Sequence, residues 1–146
     1  LAAGAYSAPA GMAAATTLLD AHPGLTAIVC ANDMLRLGAY DAIAARGLAV
    51  GRDISVTGFN DMPFVDRICP PLTTVRIQHA EMGRSAAELL LDEITRPGGT
   101  RRDLRLGPTL VVRGSSAGCP GRAPPHTRES SGLASTRPGV ILGADA

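Results

Sequence analysis

The sequence predicts an α/β fold, a parallel sheet flanked by helices. Three observations carry that expectation. Short apolar runs alternate with segments of helical period across residues 7–95. The runs at 25–31 and 54–58 are punctuated by Pro, Gly, Asn and Asp. The segment between them is about one helix long, the spacing of a βαβ unit with a right-handed crossover.

The first helix starts at Ser7, a good N-cap, with Pro9 in its first turn. Met12, Ala15, Leu18, Leu19 and His22 follow at helical spacing, and Pro23-Gly24 stops the run. Residues 25–31 read as a strand buried on both faces. A second helix carries Leu35, Ala39, Ala42 and Ile43 on one side, with Gly47 placed to end it. Residues 54–58 form the second strand, and 60–72, with Pro63, Pro70 and Pro71, form a loop. Residues 73–77 are a third strand. Residues 80–95 form an amphipathic helix whose buried stripe is Met82, Ala86, Leu89, Leu90 and Ile94. A turn at Pro97-Gly98-Gly99 leads to a last strand over 104–113.

From Gly114 onward the pattern changes. Pro120, Pro124, Pro125 and Pro138 interrupt any period. Residues 1–116 are therefore read as one partial ligand-binding domain, and 117–146 as a disordered tail in which residues 140–142 are too short to matter.

Composition narrows the function. The chain has 146 residues and 45% hydrophobic content, enough for a core; with 3% aromatics that core is aliphatic. A net charge of +1 gives no argument for nucleic-acid or membrane binding by this piece. Cys30, Cys69 and Cys119 are widely spaced, with no C-x-x-C, which fits a reducing, cytoplasmic compartment. Cys30 lies in an apolar run and reads as a small hydrophobe. No signal peptide and no membrane-length apolar run is visible. The absence of an initiator Met points to a chain that begins inside a longer protein.

In an open parallel sheet, ligands bind beyond the carboxyl ends of the strands. Asn32 and Asp33 follow the first strand, Asn60 and Asp61 the second, and Ile77 and Gln78 close the third. Amides donate and accept, and carboxylates accept. Such a rim suits a neutral polyhydroxylated ligand. The same residue types also make turns and cap helices, so spacing alone does not separate the two roles.

Enzymatic patterns are missing. There is no G-x-S-x-G, no H-E-x-x-H, no G-x-G-x-x-G and no Walker loop. His22, His79 and His126 lack metal spacing. Asp33 and Asp61 could form a carboxylate pair, but helix capping is the simpler role for Asp33. No cofactor and no metal is expected.

At these residues the chain resembles the effector-binding region of lactose-repressor-type transcription regulators. The resemblance rests on an ordered set of motifs between about residues 4 and 116. They are Leu25-Thr26-Ala27-Ile28 with Ala31-Asn32-Asp33; Leu37-Gly38-Ala39; Asp53-Ile54-Ser55-Val56 with Gly58-Phe59-Asn60-Asp61; Pro70-Pro71-Leu72-Thr73-Thr74-Val75; Glu81-Met82-Gly83; and Leu110-Val111-Val112-Arg113-Gly114-Ser115-Ser116.

The resemblance implies a periplasmic-binding-protein-like fold, here mostly its carboxy-terminal subdomain, with an effector in the cleft between two subdomains. It implies operator binding through an amino-terminal helix-turn-helix that is not in this chain, and a homodimer at full length. It assigns Asn32 to the effector and Tyr6 to an aromatic position packing on the ligand. Asn60 stands where the family usually has an Asp, and Ile77 where many members have a Gln. A solute-binding protein of an uptake system shares the fold and is the alternative reading.

Overall fold

The computed structural model describes residues 1–98 and 102–118, together with the backbone of a strand at 140–142. In chain order the elements are α1 (Ala8–Ala21), β1 (Ala27–Cys30), α2 (Asp33–Ala44), β2 (Ser55–Asn60), β3 (Thr73–Arg76), α3 (His79–Thr95), β4 (Thr109–Val111) and β5 (Val140–Leu142). They build one five-stranded sheet in the order β4-β3-β2-β1-β5. β1, β2 and β3 pair in parallel, as the βαβ spacing predicts.

Local signals set most element boundaries. The Ser7 side chain accepts from the Ala10 amide at 3.4 Å and caps α1, and Pro9 falls in its first turn. Gly47, at φ +68°, lets the chain turn away after α2. The buried stripe of α2 is the predicted one, with Leu35, Ala39, Ala42 and Ile43 all fully buried. α1 differs in detail. It buries Gly11, Ala14, Ala15, Leu18 and Leu19, while Met12 and His22 face outward.

The reason lies in how α1 meets α2. A Cβ on Gly11 would collide with the Leu35 carbonyl, and one on Gly38 with the Ala8 carbonyl and the Met12 amide. The two helices touch backbone to backbone, so the contact face of α1 centres on its small residues and Met12 is turned out.

One sheet face packs on α2. Ile28, Cys30 and Val56 are buried there with Leu35 and Ile43. Burial pushes the Cys30 thiol up to about 12, against the smaller opposing pull of Arg36, so Cys30 is an inert apolar filler as expected. The other face is open. Val29 is 40% exposed and Phe59 39%. The expectation of a strand buried on both sides is therefore corrected for β1.

The third helix also departs from expectation. Its apolar stripe is on the surface, with Met82, Leu90 and Ile94 exposed and Ser85 its buried residue. Periodicity shows that a helix has an apolar face, not that anything covers it. The predicted strand over 104–113 shortens to β4, which runs antiparallel to β3. Leu104 and Leu106 instead line a cavity together with Met82, Ala86 and Leu89 of α3.

Ser115 joins β2 to β3 below the point where they pair. Its hydroxyl donates to the Val56 carbonyl at 2.6 Å and accepts from the Thr73 amide at 2.7 Å. Its backbone amide donates to the Pro71 carbonyl and its carbonyl accepts from the Val56 amide. It is fully buried.

The tail expected over 117–146 falls largely on residues outside those described. Residues 140–142, expected to carry no regular structure, form β5 in parallel beside β1. Without β5 that flank of β1 would leave its strand groups unpaired, which explains why three β-compatible residues suffice.

The Gly38 contact gives a stability test. Gly38→Ala is expected to lower unfolding stability by about 2 kcal/mol, because backbone cannot yield as a side-chain tip can. Gly24→Ala, whose Cβ would meet open space, is expected to be near neutral. Urea unfolding of the two variants measures the difference.

Candidate functional site

Parallel strands deliver their carboxyl ends to one edge, and the structure brings the predicted polar residues there. Asn32 follows β1 and caps α2, its Oδ1 accepting from the Leu35 amide at 2.9 Å. Among the described residues nothing accepts from its Nδ2, so the carboxamide keeps donors to offer. The expectation that Asp33 caps the helix is corrected. Asn32 is the cap, because it holds the extended backbone at φ −152° that the cap position requires, while Asp33 is already helical.

Asp33 instead turns inward. It is 1% exposed. Its Oδ1 accepts from the Thr74 hydroxyl and its Oδ2 from the Met62 amide, each at 2.8 Å. Gly58 leaves the space for this carboxylate, since a Cβ there would collide with Asp33 Oδ1.

Asn60 ends β2 and pairs in register with Arg76 of β3. Its φ is +112°, and that of Asp61 is +55°. The Asn60 side chain has no hydrogen-bond partner among the described residues. Asp61 is engaged on both oxygens: Arg76 Nε lies 2.6 Å from Oδ2 and Arg113 Nη1 2.8 Å from Oδ1. Burial pushes the Asp61 carboxyl up, but the Arg113 and Arg76 guanidiniums outweigh it and hold it below the ordinary carboxylate value.

β3 ends at Arg76, so Ile77 and Gln78 lie beyond the strand. Ile77 is half-buried. The Gln78 amide donates to the Gly107 carbonyl at 3.0 Å and holds the 102–108 segment. Tyr6 is 55% exposed, just ahead of the α1 cap. Sequence reasoning missed Arg76 and Arg113. Their roles depend on strand register and on the return of β4, which spacing along the chain does not encode.

Among the described residues no His, Cys, Asp and Glu cluster could hold a metal ion. No helix among them is long and apolar enough to cross a membrane.

The fold and the polar edge have counterparts among known proteins. The model of the periplasmic binding protein-like domain matches residues 2–116. The chain belongs to that family. It is 44% identical over 116 residues to the HTH-type transcriptional regulator MalR of Streptomyces coelicolor, covering 80% of this chain and 33% of that one. The chain thus spans about a third of the length of the curated relatives it matches. Similar solved structures include two LacI-type regulators. One is a LacI family transcriptional regulator from Enterococcus faecium with bound ribose, at 31% identity and TM-score 0.70, covering 76% of this chain and 41% of that one. The other is the lac repressor dimer bound to operator and the anti-inducer ONPF, at 33% identity and TM-score 0.71, covering 77% and 39%.

The ion cluster gives a pH test. The folded carboxyl of Asp61 sits below its unfolded value of about 3.9. Its contribution to stability is thus fully present above that value and lost as pH falls through the folded one. Asp61→Asn is expected to be less stable than the parent near neutrality, with the gap closing below about pH 4. Urea midpoints across that range check it; a gap that persists unchanged in acid contradicts the assignment.

Proposed function

We propose that this chain is the effector-sensing portion of a bacterial DNA-binding transcription regulator. The effector is a sugar or related polyhydroxylated molecule, and the chain is not an enzyme. The observation that carries the reading is the strand-end edge, where Asn32 and Asn60 keep unengaged amide groups while the nearby carboxylates are bound to protein groups.

Asn32, Asn60 and Arg76 would give and take hydrogen bonds with ligand hydroxyls, Tyr6 would pack on an apolar ligand face, and Ile77 would supply a contact without polarity. Asp61 would act mainly by holding Arg76. Residues 1–116 would form the sensing unit, with 117–146 outside it. Operator contact would belong to a helix-turn-helix outside this chain, in a cytoplasmic homodimer. The HTH-type regulators among its relatives favour this reading over a solute-binding protein of an uptake system. Ligand would act through its different affinities for two states of the cleft.

Two measurements test this. The isolated chain, titrated calorimetrically with pentoses and disaccharides, is expected to bind weakly or not at all, because it offers one side of a cleft. A chimera carrying residues 2–116 in place of the matching segment of the Streptomyces coelicolor relative is expected to bind one of these sugars and change its operator affinity. A folded chimera indifferent to every sugar would refute the sensing role. Within a responsive chimera, Asn32→Asp keeps the acceptor that caps α2 and removes the amide donors. It is expected to leave thermal stability unchanged and weaken effector binding about tenfold, the loss of one hydrogen bond.

A further inference from the structure

The turn that presents Asn60 is unusual in its backbone. Asn60 and Asp61 are consecutive non-glycine residues with positive φ, +112° and +55°. L residues hold such conformations where surrounding contacts over-determine them. Two sets of contacts do so here. From the surface side, Arg76 and Arg113 grip the Asp61 carboxylate. From the interior, Asp33 Oδ2 accepts from the Met62 amide at 2.8 Å.

Of the Asp61 partners, Arg76 is 56% exposed in its side chain and Arg113 16%, whereas Asp33 is 1% exposed. The second Asp33 oxygen is fixed by the Thr74 hydroxyl of β3 at 2.8 Å. Its backbone opens α2. The carboxylate crosses β2 at Gly58, where a side chain would displace it. One group therefore fastens the start of α2, the turn after β2 and the middle of β3.

We propose that Asp33 is a positioning residue: it never touches the effector, but it fixes the turn that aims the Asn60 carboxamide into the site. This rests on the effector-site reading above, and the two can fail separately.

The experiment uses the full 146-residue chain with Asp33→Ala, Asp33→Asn, Gly58→Ala, Asn60→Ala and the Asp33→Ala/Asn60→Ala double variant. Hydrogen exchange by NMR reads the free protein. Asp33→Ala leaves the Met62 amide without its acceptor. Its protection is expected to fall at least tenfold more than that of Ile28 in β1, with a shift of the Asn60 amide resonances. Asp33→Asn is expected to restore both. Its carboxamide oxygen can accept from Met62 while its nitrogen donates to Thr74, whose hydroxyl can turn from donor to acceptor. Unchanged Met62 protection in folded Asp33→Ala overturns the proposal. Should Asp33→Ala not fold, Gly58→Ala decides, since it keeps the carboxylate but displaces it; Met62 protection and Asn60 resonances equal to the parent overturn the proposal there.

The binding arm places the same substitutions in the sugar-responsive chimera and titrates the sugar to which it responds. Asp33→Ala and Asn60→Ala are each expected to weaken binding, and the double variant no further than Asn60→Ala alone. Additive losses would show that Asp33 does not act through Asn60. If the folded chimera responds to no sugar, the effector reading fails, and the exchange data on the 146-residue chain still decide whether Asp33 sets the turn.

Discussion

The register between β2 and β3 governs the polar edge, and Ser115 fixes that register. Where the two strands have not yet met, Ser115 takes the place of a rung. It satisfies the Val56 amide and carbonyl, the Thr73 amide and the Pro71 carbonyl. The Val56 and Thr73 groups are buried, and each would cost about 1–3 kcal/mol if left without a partner. From that splice, pairing runs Thr57 with Thr73 through to Asn60 with Arg76. A slip of one residue would turn every side chain of β3 to the opposite face of the sheet. Arg76 would then leave Asp61, and Thr74 would leave Asp33. A serine at one end of the sheet thus determines which side chains meet at the other.

Arg113 extends the same dependence. Its amide donates to the Thr73 hydroxyl, and its guanidinium donates to the Leu72 carbonyl and pairs with Asp61. The short run from Arg113 to Ser115 therefore secures both where β3 begins and the carboxylate beyond the end of β2. This explains why β4 can be only three residues long. Its side-chain and terminal contacts carry the attachment, so a longer ladder is not required. The open sheet face and the exposed stripe of α3 are the opposite case. Val29, Phe59, Leu90 and Ile94 meet little protein, and such surface favours association over isolation.

Much of this was legible in the sequence. Alternating apolar runs and helical segments gave the parallel βαβ core, and Asn32 and Asn60 fell at the strand ends as the topology rule requires. What escaped was whatever depends on a distant partner. Asn32 and Asp33 are both good caps by residue type; only the crossing to Thr74 and Met62 shows which one turns inward. The apolar stripe of α3 has the right period, yet period carries no information about what covers it. Residues 140–142 look too short to pair, but an open strand edge changes what three residues can do. Arg76 lies outside the motifs of the resemblance, and the motif that holds Arg113 says nothing of the carboxylate it meets.

The charge balance at the edge supports an uncharged ligand. Asp33 and Asp61 supply two negative charges; Arg76 and Arg113 supply two positive ones. Asp61 is flanked by both guanidiniums, and Asp33 is consumed by a hydroxyl and an amide in the interior. Both guanidiniums are thus paired with Asp61 and both Asp33 oxygens with protein donors, so a charged ligand would find no unpaired counter-ion among these four. What remains open is the Asn32 amide nitrogen and the Asn60 carboxamide. Asn60 matters here because an Asp in its place would add a third carboxylate beside Asp61 and compete for Arg76. With an amide the ion cluster stays closed on itself. For the proposed polyhydroxylated effector, discrimination would then fall to the number and placement of its hydroxyls, a matter of backbone geometry at the strand ends rather than of charge.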